Sequence, residues 1–574
     1  VTGTAQDTKT GALGLGQRYI WLRHHQLPAE ARHDAHIVTR FPLPPGLSVP
    51  QIRTALGHLV RRHEALRTTY HHDADSDPWQ RVHPAGPVKL VQATAEQDGT
   101  PPPAAVVQEL STAPFDLAAD WPLRACVITD GGTPRQLVVV MNHMAFDAWS
   151  VDRFERELEV LGTALATRRP ASLEPVRYQP LHLVGHESQT EFRDRHEQAS
   201  EFWREQAARL SSDLFARRRG GPADPNAATL TSPAALAASR QLADRAGLWP
   251  SLVHVAVFTA LAAAYTGDGL VPHWNFHGNR GEDAYSDVLT CRFSPLLMIV
   301  DGRDDPSFSE LLGRVAEQTE AVRDHTALGY DEMLEILACA GAIRGRDLRI
   351  GSELNFLGHA AHTAGVRRTT FVRNAAPTAW AAFGSDVYLR ITELRDAVSV
   401  NLQAAGAVMD AETVERFLRG YEAVLLALAE PDADLRISDI RALAGFDEPA
   451  EPSRDRAAGG VAGTAGAELA GTEPAGAETL LELRGAIGRA MDICADMLDL
   501  DSAYVPNGGR VLRLPRVLDL LRERGYGGLT LHDLAGGTPL RVLANQLSRN
   551  RSQSSNSAGA AGPSAPPDTT SAAG

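Results

Sequence analysis

Leu137-Val138-Val139-Val140-Met141-Asn142-His143-Met144-Ala145-Phe146-Asp147-Ala148-Trp149-Ser150-Val151 is the stretch on which the reading of this chain turns. Residues 137–141 are a short apolar run rich in valine, the pattern of a buried strand, and residues 151–158 have helical spacing. Between them, residues 142–148 end the strand and open the helix. Side chains at such a strand end are presented from a rigid base. His143, with the carboxylate of Asp147 four residues on, is therefore a natural place for chemistry. The same residues also fit a plainer structure, a core histidine and an aspartate capping a helix, and by themselves they leave both open.

The chain has 574 residues, enough for several domains, and 43% hydrophobic residues permit large cores. A formal charge of −15 at pH 7 argues against nonspecific binding to nucleic acid or anionic lipid. Cys126, Cys291, Cys339 and Cys494 stand far apart, with no CxxC and no Cys/His cluster. That fits a reducing compartment and argues against structural zinc. His143 and Asp147 alone are too few ligands for a metal. Gly11, Gly14 and Gly16 lack the preceding strand and the spacing of a dinucleotide fingerprint, and no GxSxG elbow supports a hydrolase. Residues 1–12 are polar, so no signal peptide is expected. The longest mostly apolar run, residues 253–265, contains His254 and is too short to span a bilayer. These features predict a soluble, cytoplasmic protein.

Outward from the central stretch, residues 122–141 read as a hairpin through the Gly-Gly-Thr-Pro turn at 131–134. Upstream, Ser48 caps a helix that gives way to a strand ending at Tyr70, and residues 83–104 read as a loop. Downstream, helices are expected over the segment to about residue 166 and over 191–210, 236–265 (broken at Trp249-Pro250), 307–321, 330–338 and 411–428. Strands are expected at 270–277, 289–301, 352–357, 387–394 and 398–404. Arg217-Arg218-Arg219 is expected to be solvated. Residues 480–548 recover helical patterning in three segments, 480–498, 511–524 and 539–547. The resulting plan is a disordered 1–12, an α/β lobe over 13–175, a second over 176–445, a flexible Ala/Gly/Pro/Glu-rich linker over 446–478, a three-helix domain over 479–548 and a disordered tail over 549–574.

Over residues 13–441, six blocks in order resemble the condensation domains of nonribosomal peptide synthetases. Gln17-Arg18-Tyr19-Ile20-Trp21-Leu22 resembles the opening block. Arg62-His63-Glu64-Ala65-Leu66-Arg67-Thr68-Thr69-Tyr70 is similar to RHExLRTxF, and Pro114-Phe115-Asp116-Leu117 to PFDL. Residues 142–148 stand where the family has HHxxxDG. Tyr265-Thr266-Gly267-Asp268-Gly269 with Gly278-Asn279-Arg280 resembles a segment ending in a strand and an Arg, and residues 325–334 resemble a late HxxxPxxxL-like block.

The resemblance implies two similar α/β lobes, each like chloramphenicol acetyltransferase, forming a V around a central tunnel that holds the motif. It implies a stand-alone condensation enzyme of natural-product biosynthesis, an acyltransferase that joins a donor thioester to an amine or alcohol acceptor. Both substrates usually arrive on the phosphopantetheine arms of partner carrier proteins, a free small-molecule acceptor being left open, other synthetase subunits are partners, and the enzyme binds no cofactor of its own. His143 carries over as the catalytic histidine, as base or as positioning group. Asp147 pairs with Arg280 to hold the loop, and Asn142, Ala148 and Trp149 line the site. The chain departs from the family where Asn142 replaces the first motif His and Ala148 the motif Gly. That methyl narrows the site, or is harmless if φ is negative. Arg292-Phe293-Ser294-Pro295 is a further departure. A silent scaffold recruiting other synthetase subunits is the alternative, and retention of His143 argues against it.

The C-terminal segment resembles a peptidyl carrier protein, in degenerate form. Gly508-Gly509-Arg510-Val511-Leu512 places Val511 where that family carries its pantetheine-bearing Ser. Val511 has no hydroxyl to phosphorylate, and Ser502 lies in another loop. Leu531-His532-Asp533-Leu534 and Thr538-Pro539-Leu540 match the carrier ending. The resemblance implies a pseudo-carrier that cannot load substrate and serves in docking or is vestigial.

Overall fold

The computed structural model describes residues 8–73, 76–94, 103–220, 222, 224–281, 283–359, 363–377, 384–449 and 476–549. The first elements are β1 (Lys9–Ala12), α1 (Leu15–Gln26), β2 (His36–Pro42), α2 (Val49–Arg62), β3 (Thr68–His71) and β4 (Trp79–Val82). Then come β5 (Leu90–Thr94), α3 (Pro103–Thr112), β6 (Leu123–Asp130), β7 (Thr133–Asn142) and α4 (Ala148–Thr167). They build a three-stranded sheet, β1-β4-β3, and a four-stranded sheet, β2-β7-β6-β5. Order thus begins before residue 13: Lys9–Ala12 pairs antiparallel with Trp79–Val82. The loop expected at 83–104 contains β5, whose parallel partner is β6, and α3 starts at Pro103.

β7 lies between β2 and β6, and Leu137 through Met141 are at most 1% exposed. Its alternate residues Leu137, Val139 and Met141 pack with Ile52, Leu56 and Leu59 of α2 and Phe154 and Leu158 of α4, while Val138 packs with Val107 of α3. A strand covered on both faces needs no polar alternation, which is why the run is continuously apolar.

The second half of the chain contains α5 (Pro180–Glu187), α6 (Thr190–Arg209), β8 (Asn226–Ser232), α7 (Pro233–Ala246), α8 (Pro250–Thr266), β9 (Leu270–His277), β10 (Ser294–Asp301) and α9 (Phe308–Asp324). It continues with α10 (Tyr330–Ile343), β11 (Ser352–His359), β12 (Thr370–Asn374), β13 (Val387–Leu394), β14 (Val398–Ala404), α11 (Ala411–Ala429) and α12 (Ile437–Ala444). Its seven-stranded sheet runs β10-β9-β11-β13-β14-β8-β12, with β11 parallel to both neighbours and the other pairs antiparallel. α8 is buried from Val253 to Thr266. Pro250 opens its first turn and Gly267, at φ 69°, closes it.

Two expectations need correction here. The strand expected at 289–301 begins only at Ser294, because the preceding backbone bonds to Asp147, Ser150 and Arg280 instead of to a sheet. Nor are the arginines at 217–219 all solvated: Arg219 pairs with Asp386 at 2.7 Å and Asp213 at 2.9 Å, and Arg218 Nε donates to the Tyr265 carbonyl at 2.6 Å.

His254 on α8 and His273 on β9 are fully buried, and desolvation pushes their imidazoles down from 6.5 to about 3 and about 4. The unfolded chain therefore binds protons below pH 6.5 that the folded core refuses, so stability falls as the medium acidifies. At pH 5 each residue is expected to cost about 2 kcal/mol. Denaturant midpoints at pH 7 and pH 5 check this, and equal stabilities would mean that these imidazoles take up protons inside the folded core.

The C-terminal unit comprises α13 (Ala477–Met491), α14 (Leu514–Glu523), β15 (Tyr526–Gly527), α15 (Leu531–Ala535), α16 (Leu540–Ala544) and β16 (Ser548–Arg549). It differs from the three-helix expectation. α13 stops at Asp492, which is left-handed at φ 56°, and Val511–Arg513 form a 3-10 turn before α14. Thr530 caps α15 as a separate helix. Gly509 is required where it stands, since a Cβ there would lie 2.5 Å from the Tyr504 ring. The linker expected over 446–478 and the tail over 549–574 fall mostly outside the described residues. No single helix among the described residues is long and apolar enough to cross a membrane.

Candidate active site

Local bonds shape the turn after β7. Asn142 Oδ1 accepts the Met144 N–H at 2.9 Å, and Asp147 Oδ1 caps α4 by accepting the Ser150 N–H at 2.8 Å. His143 Nδ1 lies 3.0 Å from the Phe146 carbonyl. A carbonyl only accepts, so Nδ1 carries the proton and Nε2 the lone pair. Nε2 makes no hydrogen bond among the described residues. Desolvation pushes the His143 pKa below the ordinary 6.5, opposed by the Phe146 carbonyl and the Asp147 charge. The imidazole is therefore neutral at pH 7.

The loop is bound to the second half of the chain by charge. Arg280 reaches Asp147 through Nε to Oδ2 (3.1 Å) and through Nη2 to Oδ1 (2.9 Å) and Oδ2 (2.8 Å). The two side chains are 3% and 5% exposed. Arg280 also donates to the carbonyls of Ser286 (2.6 Å), Val288 (3.0 Å) and Thr290 (2.8 Å). Arg292 N–H donates to Asp147 Oδ2 at 3.0 Å, while its side chain pairs with Asp283 at 2.8 Å. Gln17 of α1 joins the same seam, its Nε2 donating to the Met144 carbonyl and to Thr290 Oγ1, each at 3.4 Å. Gly16 lets α1 come this close, because a Cβ there would stand 2.7 Å from the Cys291 carbonyl oxygen.

A file of rings leads away from His143. Phe293 meets it edge-on at 5.5 Å, Tyr19 meets Phe293 at 5.7 Å, Tyr330 meets Tyr19 at 5.1 Å and Trp274 meets Tyr330 at 5.1 Å. Desolvation, reinforced by the nearby Glu353 charge, holds the Tyr330 hydroxyl far above its ordinary value, so it stays protonated at any working pH.

The structure brings His143, Asp147 and Arg280 together. The other candidates take different places. Asn142 is buried and spends its amide oxygen on its own loop. Ala148 is exposed in the first turn of α4 and is not among the residues with positive φ, so its methyl is unstrained. Trp149 is 58% exposed, with its ring 3.6 Å from where a Cβ on Gly278 would stand, so it leans across from α4 to the end of β9. Val511 is far from the motif in sequence and sits buried against α10. Glu157 on α4 was not anticipated. It accepts from Arg62 (2.9 Å) and Arg153 (3.1 Å) and lies 2.8 Å from His63, so the Arg62-His63 block braces α4 behind the motif. These partners hold the Glu157 carboxyl well below the usual carboxylate range despite its desolvation. The i,i+4 spacing of Arg153 and Glu157 was the available signal. Among the described residues no group of three or more His, Cys, Asp or Glu side chains is placed to hold a metal ion.

A family model described as a condensation domain matches residues 16–445. The chain is 30% identical over 342 residues to the probable non-canonical nonribosomal peptide synthetase CymA of Salinispora arenicola, covering 57% of this chain and 4% of that protein. It is 26% identical over 333 residues to the phosphinothricin tripeptide synthetase PhsC of Streptomyces viridochromogenes, covering 57% and 30%. The chain thus spans only a small part of the length of these curated relatives. Among solved structures, the X-domain in its complex with OxyB from teicoplanin biosynthesis superposes with a TM-score of 0.59 at 23% identity, covering 77% of this chain and 96% of that one, a likeness of fold.

Proposed function

The chain belongs to the condensation-domain family, and on that premise we propose that it forms an amide bond in natural-product biosynthesis between a carrier-bound acyl or aminoacyl thioester and an amine. In this reading the two large sheets are the halves of a chloramphenicol-acetyltransferase-like V, and the seam between them is the tunnel to His143. The observation that carries the reading is His143 itself: neutral, fixed by the Phe146 carbonyl, with Nε2 unengaged beside a loop riveted by Arg280.

The chemistry asked of it is modest. A neutral amine attacks the thioester carbonyl, and a C–N bond forms as the carbonyl π electrons move to oxygen. Nε2 takes the proton that the nitrogen then sheds. The oxyanion collapses, the C–S bond breaks, and the proton passes to the departing thiolate. An α-amine titrates near pH 8, so a part is already neutral at pH 7 and His143 relays as much as it abstracts. Holding both reactants in one seam supplies the proximity term. An alcohol acceptor follows the same route to an ester. Donors come on the phosphopantetheine arms of separate carriers in the cytoplasm, and the chain's own C-terminal unit, with Val511 at the pantetheine position, loads none.

The test is reconstitution: the full chain, aminoacyl thioesters on holo-carriers and a panel of amines, read by mass spectrometry. Amide that forms only when the chain is present is the expected result. A second reading is a silent scaffold that recruits another enzyme. Asn142 at the motif's first position favours it, as does the fold likeness to the X-domain in complex with OxyB. Absence of product together with stable capture of another synthetase subunit would establish that reading.

A further inference from the structure

The C-terminal unit is seated on the seam by the very turn that holds the degenerate pantetheine position. The Val511 N–H donates to Glu335 Oε1 of α10 at 2.8 Å, and the Val511 side chain is 0% exposed. On either side of it Arg510 and Arg513 both pair with Asp77, the Arg513 Nε at 2.8 Å. A second clasp lies at the far end of the unit, where the Gly537 N–H and Thr538 Oγ1 donate to Asp347 at 2.5 and 3.1 Å. Asp519 of α14 lies 3.6 Å from His72 at the end of β3.

Between these polar points the contact is apolar. Tyr19, Ile20, Trp21 and Leu22 of α1 belong to one continuous buried cluster with Leu518, Leu531 and the rest of the unit's core. Fused cores of this kind mark a fixed body, whereas a module that must swing keeps a polar surface of its own.

The position matters because of what lies beneath. The ring file from His143 ends at Tyr330 and Trp274, and these two residues, with Glu353, face Leu531, His532 and Gly536 of the unit across a cavity of about 80 Å³. Pockets that hold molecules of drug size measure about 300–1,000 Å³. Among the described residues, the cavity between the unit and the rings is well short of that size.

We infer that the C-terminal unit is a stationary closure over one end of the seam, so that one of the two condensation partners reaches His143 as a free small molecule and not on a carrier. This rests on the condensation reading above. Chemistry says which partner: the acyl group must arrive activated as a thioester, whereas an amine needs no activation. The acceptor is therefore a free amine, and the remaining entrance serves the donor's carrier.

Asp77→Arg in the full chain tests this, because it turns both arginine pairs repulsive without touching the motif. Hydrogen exchange over residues 15–26 and 330–343 is expected to be slow in the parent and about tenfold faster in D77R. Adding Arg510→Asp and Arg513→Asp to D77R is expected to restore protection, which a merely misfolded variant would not do. In the assay, alaninamide and other amino-acid amides are compared with the same aminoacyl groups loaded on holo-carriers. The parent is expected to use the free amines about tenfold faster, and D77R to narrow that gap by raising use of the tethered forms. Tethered amines used by the parent as fast as free ones, or fast exchange over both helices in the parent, would overturn the closure. Silence with both forms of amine counts against the condensation reading, and the exchange measurement still decides whether the face is closed.

Discussion

Replacing His143 by alanine is expected to slow amide formation by about 10²–10⁴-fold, the usual worth of one positioned acid–base group. The protein should remain folded. The side chain makes one bond within its own loop and one edge contact with Phe293, whereas β7 and the Asp147 cap stand without it. The pH profile separates a relay from a mere filler of space. Burial lowers the His143 pKa below 6.5, so the active neutral form persists as the medium acidifies and is lost only as pH falls through that depressed value. Expressed per concentration of neutral amine, which removes the titration of the amine itself near pH 8, the acid limb of kcat/KM should therefore lie below 6.5 in the parent and vanish in His143→Ala. An unchanged rate, or a limb that persists in the variant, would remove His143 from the reaction.

Arg280→Met is expected to cost about 3–5 kcal/mol of stability, because it leaves Asp147 as an uncompensated buried charge. Arg280→Lys should recover little. A single ammonium cannot grip both oxygens of Asp147 while it also serves the carbonyls of Ser286, Val288 and Thr290. Asp147→Asn keeps a good helix cap yet strands the guanidinium, so it should be nearly as damaging. Urea unfolding at pH 7 reads all three. A loss below about 1 kcal/mol for Arg280→Met would mean that the pair is solvated and that the loop is held by its cap alone.

What the sequence made legible was whatever repeats locally. The valine run of β7, the Pro250 start of α8 and the Ser48 cap of α2 carry their structure in their own spacing. Resemblance placed Arg280 opposite Asp147 across more than a hundred residues, which no periodicity could do. The misses share one cause. β5 and β12 are short strands at the ends of their sheets, held by a partner far along the chain. Arg219 looked solvated because its buried acceptor, Asp386, lies 167 residues along the chain. The seating of the C-terminal unit was invisible for the same reason. Asp77, Glu335 and Asp347 are acids in unrelated segments, and only the fold makes them one surface. At Ala148 the sequence left a choice of backbone, and its place in the first turn of α4 settles it.

The fork between Arg280 and Asp147 also has a kinematic consequence. It ties the loop after β7 to the segment after β9, with the donors on one side and both acceptor oxygens on the other, and the Arg292 N–H on Asp147 and the Ser150 hydroxyl on the Thr290 carbonyl add further bonds across the same seam. Edge-on rings such as Tyr19, Phe293 and Tyr330 glide past one another at small cost, whereas a bidentate ionic grip resists translation and tolerates only a small swing. Breathing between the two halves of the chain is therefore resisted at this loop, and the ring contacts are where it meets least resistance. His143 shares its loop with Asp147, so it stands beside the grip and not among the sliding rings alone.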